Sequence, residues 1–429
     1  MPSDLQFRSD AERLGFLPSF QRGSQTSSRF SDLICRGDEW DFGALAVFFR
    51  LGFFLGEDTA LTAIKAAPPP GGIFIVPEQR ISRGQAIDNY VDLFRKSMGQ
   101  RLLDGPFAVP LSGGRDSRHI LLELLRLGRK PQFAITMLRF PPKCNDDVLV
   151  AAELCARAGV PHRVFPQTED GFTVETRKNH LTNFCTDEHQ WTLALADRLG
   201  ELAVPAVYDG IGGDILSSGL FQTIDLHQLL CGERLDEVAE RLMPPGRVIK
   251  DCFALELSAK MNREVALQRL HRELRRHVGA ANPLASFYFW NRTRREIARV
   301  LDVYGDTAAI TPFLDNELFR FLSSLPAEVT IPGDFHTETI LRAYPEFAHI
   351  RFEAKGGKTR NLHFYRTYAR KALAFLWRSD LVRTGYKFRQ ILRCAVDPTY
   401  GDQIHWVAPR PIFLEQLRRL IEVAPQATS

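Results

Sequence analysis

Between residues 107 and 208 short apolar runs of strand length alternate with segments of helical period, and that alternation limits the fold more than any other feature of the chain. Strands are expected at 107–111, 133–137, 162–165 and 206–208, with helices at 117–127, 146–158 and around 187–200 between them. Strands separated by helices of this length imply a parallel, doubly wound α/β sheet, which binds ligands at the carboxyl ends of its strands. Asn145 is expected to cap the 146–158 helix and Gly159 to end it. Pro110 removes a ladder donor just inside the first strand, so pairing is expected to stop there.

The first strand runs into Ser112-Gly-Gly-Arg-Asp-Ser117, after which Ile120 to Leu125 resume a helical apolar pattern. A strand, a glycine turn and a helix N-terminus together present free backbone N–H groups to an anion. Gly113 and Gly114 allow the backbone close to a phosphate, and Ser112 and Ser117 add hydroxyl donors. A carboxylate inside such a loop would repel phosphate unless a divalent cation stood between them. Asp116 therefore points to a nucleotide together with Mg²⁺. A second glycine turn, Asp209-Gly-Ile-Gly-Gly-Asp-Ile-Leu-Ser-Ser-Gly219, follows the strand at 206–208. It puts a further carboxylate, Asp214, at a neighbouring strand end, and two such carboxylates suit a cation bridging nucleotide oxygens.

The Ser112–Ser117 string resembles the pyrophosphate-binding loop of the N-type ATP pyrophosphatases, and with the second loop the chain resembles the synthetase domain of the asparagine synthetase family. It is also similar to the β-lactam synthetases and lasso-peptide macrolactam cyclases. The resemblance covers roughly residues 42 to 360 and includes Thr59 to Gly72, Asn145-Asp-Asp147 with the helix after it, Pro312-Phe-Leu-Asp315 and Lys355-Gly-Gly. It implies a PP-loop α/β core with a large helical C-terminal part. ATP would lie on Ser112, Gly113, Gly114, Asp116, Ser117, Gly210, Gly212 and Gly213, and Mg²⁺ on Asp116 and Asp214. Lys355 would stabilise charge on the reacting phosphate, while Pro312–Asp315 would be structural. The domain expectation is a shortened N-terminal region at 1–85, a nucleotide-binding core at 86–225 and a mostly helical remainder at 226–429.

Three departures shape the expected function. Met1 is followed by Pro2 where glutamine-dependent members place a catalytic cysteine, so no glutaminase is expected. Ile211 stands where the family has a polar residue near the attacking amine, and an absent general base is worth on the order of 10²–10⁴ in rate. Ile215 replaces the expected glutamate after Asp214. An apolar pair there favours a larger, apolar substrate over ammonia or aspartate. The resemblance thus implies an ATP-dependent enzyme that adenylates a small-molecule or peptide carboxylate for attack by an amine, in specialised-metabolite or peptide modification, with a pathway protein as a further partner. The alternatives are a tRNA- or RNA-modifying enzyme built on the same loop, and a catalytically degenerate nucleotide-binding partner subunit.

Other features carry less. Residues 1–40 are polar and read as loop, followed by a helix at 42–55, a strand at Ile73–Val76 and a helix over 85–103. Everything beyond 225 reads as helical. No run reaches the roughly 18 apolar residues of a membrane span, and the N-terminus lacks a signal-peptide core. Seven scattered cysteines with no Cys-x-x-Cys pair suggest reduced thiols and the cytoplasm. Lys355 to Arg393 holds eleven basic residues against one acid, Asp380, interleaved with aromatics, but no nucleic-acid motif accompanies them and no nucleic-acid partner is expected. Gly356-Gly-Lys-Thr359 fails as a Walker loop because Phe352 occupies the required glycine position. His119 and the arginines 292, 294 and 295 are weaker candidates for phosphate or anion contacts.

Overall fold

The computed structural model describes residues 10–139, 145–167, 170–354, 362–397 and 408–426. Three short strands come first: β1 (Phe20–Arg22), β2 (Gln25–Ser27) and β3 (Lys65–Ala66), which form an antiparallel sheet with β1 in the middle. Part of the segment expected to be loop thus pairs with residues forty positions later. The parallel sheet contains β4 (Ala108–Pro110), β5 (Phe133–Leu138), β6 (His162–Pro166), β7 (Ala206–Tyr208) and β8 (Ala308–Ile310), in the order β6-β5-β4-β7-β8. Successive strands move outward from β4 to β6, and the chain then returns to lay β7 on the other side of β4. The order reverses between β4 and β7, and their connections leave a crevice at the carboxyl ends. Both glycine loops leave the sheet at this point. The fold is the expected α/β type.

The parallel strands start and stop within a residue or so of the expected bounds. Pairing runs Ala108↔Phe133, Val109↔Ala134 and Pro110↔Ile135, and one more bond, from Leu111 N–H to Ile135 O at 2.9 Å, follows the proline. Four details differ. Ile73–Val76 forms no strand: no neighbouring strand offers it a ladder, and Phe74 packs by its ring on Trp290. The region beyond 225 is not wholly helical, because Ala308–Ile310 adds β8 beside β7; a three-residue strand between Gly305 and Pro312 is too short to show a period. Asn145 makes no cap bond; it sits at φ 55° and its side chain accepts from Arg139 N–H at 2.7 Å. A helix at Gly171–Leu181, capped by Asp170, was not expected, and the next one spans Gln190–Glu201.

Two large cores hold the chain together. One packs the face of the parallel sheet against helix Arg83–Gln100, which carries a Ser82/Gln85 capping box, and against the segments from Phe289 to Phe335. The other joins helix Phe42–Leu51, ended by Gly52 at φ 87°, to helices Arg263–Arg275 and Pro409–Val423. Phe48 stacks on Phe54 at 4.5 Å and meets Phe413 at 5.0 Å, so early and late segments share one apolar interior. Among the described residues no helix is long and apolar enough to cross a membrane. Cys35, Cys155, Cys185, Cys231 and Cys252 are free thiols, while the side chains of Cys144 and Cys394 lie outside the described residues.

Candidate active site

The loop after β4 is braced by its own serines. Ser112 N–H donates to Ser117 Oγ at 3.1 Å, the two hydroxyls lie 3.2 Å apart, and Gly114 N–H donates to Ser112 Oγ at 3.2 Å. Helix Asp116–Arg126 starts at once, and the N–H groups of its first turn have no intrahelical acceptors. Gly113 is required by packing: a Cβ there would stand 2.8 Å from Glu353 Cβ and 3.0 Å from Asp147 Cα.

Asp116 projects from the start of that helix against the second loop. A Cβ on Gly210 would lie 2.6 Å from Asp116 Cβ, and one on Gly213 would lie 2.6 Å from Asp116 Oδ1. These glycines are therefore what lets the two loops interlock. Gly212, at φ 90°, turns the chain against Leu314 and starts the short helix Gly213–Ser217, which carries Asp214 in its first turn. The predicted set Ser112, Gly113, Gly114, Asp116, Ser117, Gly210, Gly212, Gly213 and Asp214 is thus gathered at one end of β4 and β7. Lys355 lies outside the described residues. The chain leading to it is fixed on the first loop and on the helix Asp146–Ala158, with Glu353 N–H donating to Gly113 O and Ala354 N–H to Asp146 Oδ2, each at 2.9 Å.

The electrostatics mark Asp116. Burial pushes its carboxyl well above the usual range, the charges of Asp214 and Asp209 add to this, and Arg115 opposes it. Its Oδ1 is buried without a hydrogen-bond partner. A buried, unpaired carboxylate oxygen beside a second carboxylate is an arrangement that a hard cation would relieve. Among the described residues no group of three or more His, Cys, Asp or Glu forms a closed metal cage. Two carboxylates suit Mg²⁺, which is usually bound by one or two carboxylates together with substrate phosphates. The donor set fits.

Several site residues are not evident in the sequence. Asp209, just before the second loop, accepts from Tyr304 O–H at 2.6 Å and from Ile211 N–H at 3.0 Å, and burial raises its carboxyl. Arg118 is fully buried and donates to the carbonyls of Ile350 and Arg351 at 2.9 and 2.6 Å, under the ring of Phe352. It anchors the segment that ends beside Gly113. His189 lines the cleft at φ 71° with neither ring nitrogen hydrogen-bonded; burial pushes it down to about 3, with Arg292, Lys178 and Arg139 adding to the effect. No sequence period distinguishes these residues from ordinary core or helix positions.

The weaker candidates have structural partners. His119 is fully buried, its ring 3.8 Å from that of Phe94 between centroids, and does not line the cleft. Arg294 and Arg295 donate to backbone carbonyls of Gly56, Ala67 and Asp58, and Arg292 lies between Glu188 and Glu296. Pro312–Leu314 is a 3-10 turn that packs beneath the second loop, and Asp315 caps helix Asn316–Ser323. Ile215 is buried in the core, whereas Ile211 faces a cleft of about 250 Å³. Much of the lining of that cleft is apolar, including Met137, Trp191, Leu195, Ile211, Ile297 and Val300.

The family model for asparagine synthase matches residues 89–344. Among solved structures, that of NMN synthetase from Francisella tularensis is similar at 17% identity, covering 49% of this chain and 93% of that chain, with a TM-score of 0.25. No curated protein matches.

Proposed function

The chain belongs to the asparagine synthase family, a family of ligase-type enzymes that use ATP, and on this basis we propose that it activates a carboxylate with Mg²⁺-ATP and passes the acyl group to an amine. The observation that carries the proposal is the interlock of Asp116 with the second loop, where two glycines without side chains bring Asp214's helix against a buried, unpaired carboxylate oxygen. In this reading the substrate carboxylate attacks the α-phosphorus, the bond from that phosphorus to the β-bridging oxygen breaks, and pyrophosphate departs. The amine then attacks the acyl carbon, AMP leaves with the carboxyl oxygen, and the amine loses a proton.

Each step has residues assigned to it. The N–H groups of the 112–117 loop and the hydroxyls of Ser112 and Ser117 bind the departing pyrophosphate. Asp116 and Asp214 would hold Mg²⁺, which supplies positive charge across the phosphates while they separate. Lys355, following a segment pinned to Gly113, neutralises charge at the reacting phosphate. The apolar lining takes the body of an apolar acyl substrate and keeps water from the adenylate. Ile211 cannot accept a proton, so the amine enters already neutral or loses its proton to the substrate or to solvent. The amine belongs to the same substrate molecule or to a second one, in specialised-metabolite or peptide modification.

Product analysis tests this. With a panel of carboxylates, including amine-bearing ones, ATP turnover should yield AMP and pyrophosphate, and D116N should lower both about 10³-fold. ADP as the nucleotide product would refute the proposal. The buried Ile215 and apolar Ile211 favour a second reading, a partner subunit that binds nucleotide without turning it over. Tight ATP binding with no AMP formed across the panel would support that reading.

A further inference from the structure

Behind the two loops, one imidazole is bonded to both helices that carry the aspartates. His336, on helix Phe335–Ala343, is fully buried. Its Nε2 lies 3.0 Å from Nδ1 of His119, on the helix that starts with Asp116, and 3.3 Å from the Tyr90 hydroxyl. Its Nδ1 lies 2.9 Å from Oγ of Ser217, on the helix of Asp214, and 3.3 Å from the unpaired Asp116 Oδ1.

The donors can be assigned. Ser217 gives its hydroxyl hydrogen to Gly213 O at 2.5 Å, so its oxygen accepts from His336, and Nδ1 carries the ring's hydrogen. With the ring's hydrogen on Nδ1, Nε2 faces two groups that can donate to it, His119 Nδ1 and the Tyr90 hydroxyl. Nε2 then accepts from His119 Nδ1–H, with the Tyr90 hydroxyl alongside. The His119 Nε2, buried without a partner, is the unprotonated end of the chain. The hydrogens all run one way, from His119 through His336 and Ser217 to the carbonyl of Gly213.

We propose that His336 is the positioning residue that sets the distance between Asp116 and Asp214 for binding of the metal–nucleotide. The inference rests on the reading above, that these two carboxylates hold Mg²⁺. Ser217 is one turn from Asp214 on a helix of only five residues, so fixing its hydroxyl fixes the roll of that helix and the direction of Asp214. His119 lies one turn into the helix of Asp116 and fixes the other side. The Nδ1–H edge stands near Asp116 Oδ1 without hydrogen-bonding to it, which leaves that oxygen's lone pairs open for a cation. An apolar side chain would fill the same space among the rings of Tyr90, Phe313 and His119, but it would bond to neither helix.

The test uses the full chain with Mn²⁺ in place of Mg²⁺ and α,β-methylene-ATP, whose α–β link cannot be cleaved. Free Mn²⁺ is read by electron paramagnetic resonance, and the melting temperature is measured without metal. H336L should weaken analogue-dependent Mn²⁺ binding about 10-fold or more, the range for partners that orient a metal ligand. H336N puts an amide N–H where Nδ1–H stood and should bind within about threefold of wild type, although it melts as low as H336L because both lose the Nε2 acceptor. S217A, which leaves His336 Nδ1–H without its acceptor, should weaken binding about 10-fold although it melts no lower than H336N, and it decides alone if H336L does not fold. Wild-type binding by H336L or S217A, or binding losses that follow the melting temperatures across the three variants, would overturn the inference. A wild-type chain that binds no Mn²⁺ with the analogue would instead overturn the metal reading beneath it.

Discussion

The loop after β4 is braced largely from within, by the bonds among Ser112, Gly114 and Ser117, with Glu353 on Gly113 O and Thr337 on Arg115 as its outside links. The loop after β7 is held from outside: Tyr304 bonds to Asp209, Leu314 packs against Gly212, and His336 bonds to Ser217. Both loops end at the same crevice, and each brings one aspartate. The first loop can be read from its own string. The other needs residues a hundred positions downstream, and its chemistry depends on them. Ile211 and Ile215 are buried in the same core as Phe313 and Leu314, so the apolar pair is part of the frame that holds Asp214 in place.

Substitutions can break this comparison. The largest effect should come from D116N, which removes the charge that both loops share: AMP formation with an accepted substrate should fall about 10³-fold, measured by single-turnover product analysis. G213A comes next. Its Cβ would meet Asp116 Oδ1 at 2.6 Å, and forced repacking of about 1–3 kcal/mol corresponds to a loss of about 5–160-fold in the same assay. G105A, whose Cβ would meet nothing within 4 Å, is the control outside both loops and should lose no more than about threefold. Equal losses in the two glycine variants would show that the contact of Gly213 with Asp116 does not frame the site. Y304F should leave Asp209 without its strongest donor and lower unfolding stability by about 1–3 kcal/mol in urea, with a smaller loss in AMP formation.

The smallest effect is one of pH. Burial pushes Glu296 up to about 8 from the usual 4.5, with Arg292 opposing and Glu188 adding. The folded chain keeps a proton that the unfolded chain releases, so this contribution to stability is complete below pH 4.5 and is lost as pH rises through 8. E296Q should therefore flatten the fall in unfolding free energy between pH 6.5 and 8, by up to about 1.4 kcal/mol per pH unit. His336 acts in the opposite sense. Its folded value of about 3 against an unfolded 6.5 gives stability that is present above 6.5 and is lost as pH falls toward 3. An unchanged alkaline limb in E296Q would mean that Glu296 is ionised in the fold.

Much of the fold was legible because the parallel strands are bounded by sharp signals, such as the glycines after β4 and β7 and Gly159 after the 146–158 helix. β8 was not, because three residues cannot display a period and its pairing with β7 joins positions a hundred residues apart. Ile73–Val76 misled because an apolar run specifies burial, not a partner, and here the partner is a tryptophan ring. Of the site, Ser112–Ser117 and Asp214 could be named from local strings. Asp209, Arg118 and His336 could not, since each bonds to residues far along the chain, and His189 carries no local signal. Asn145 shows the reverse: a residue of the right type at a helix start takes another task when a turn nearby offers a backbone N–H first.

The central claim is that two loops with different frames make a single cation site. A double-mutant cycle on Asp116 and Asp214, reading Mn²⁺ binding in the presence of α,β-methylene-ATP, tests it most directly. D116N, D214N and the double variant should all lose analogue-dependent binding to the same extent, because removing either carboxylate dismantles the same site. A D214N variant that binds within about threefold of wild type, or single losses that multiply in the double variant, would contradict the claim.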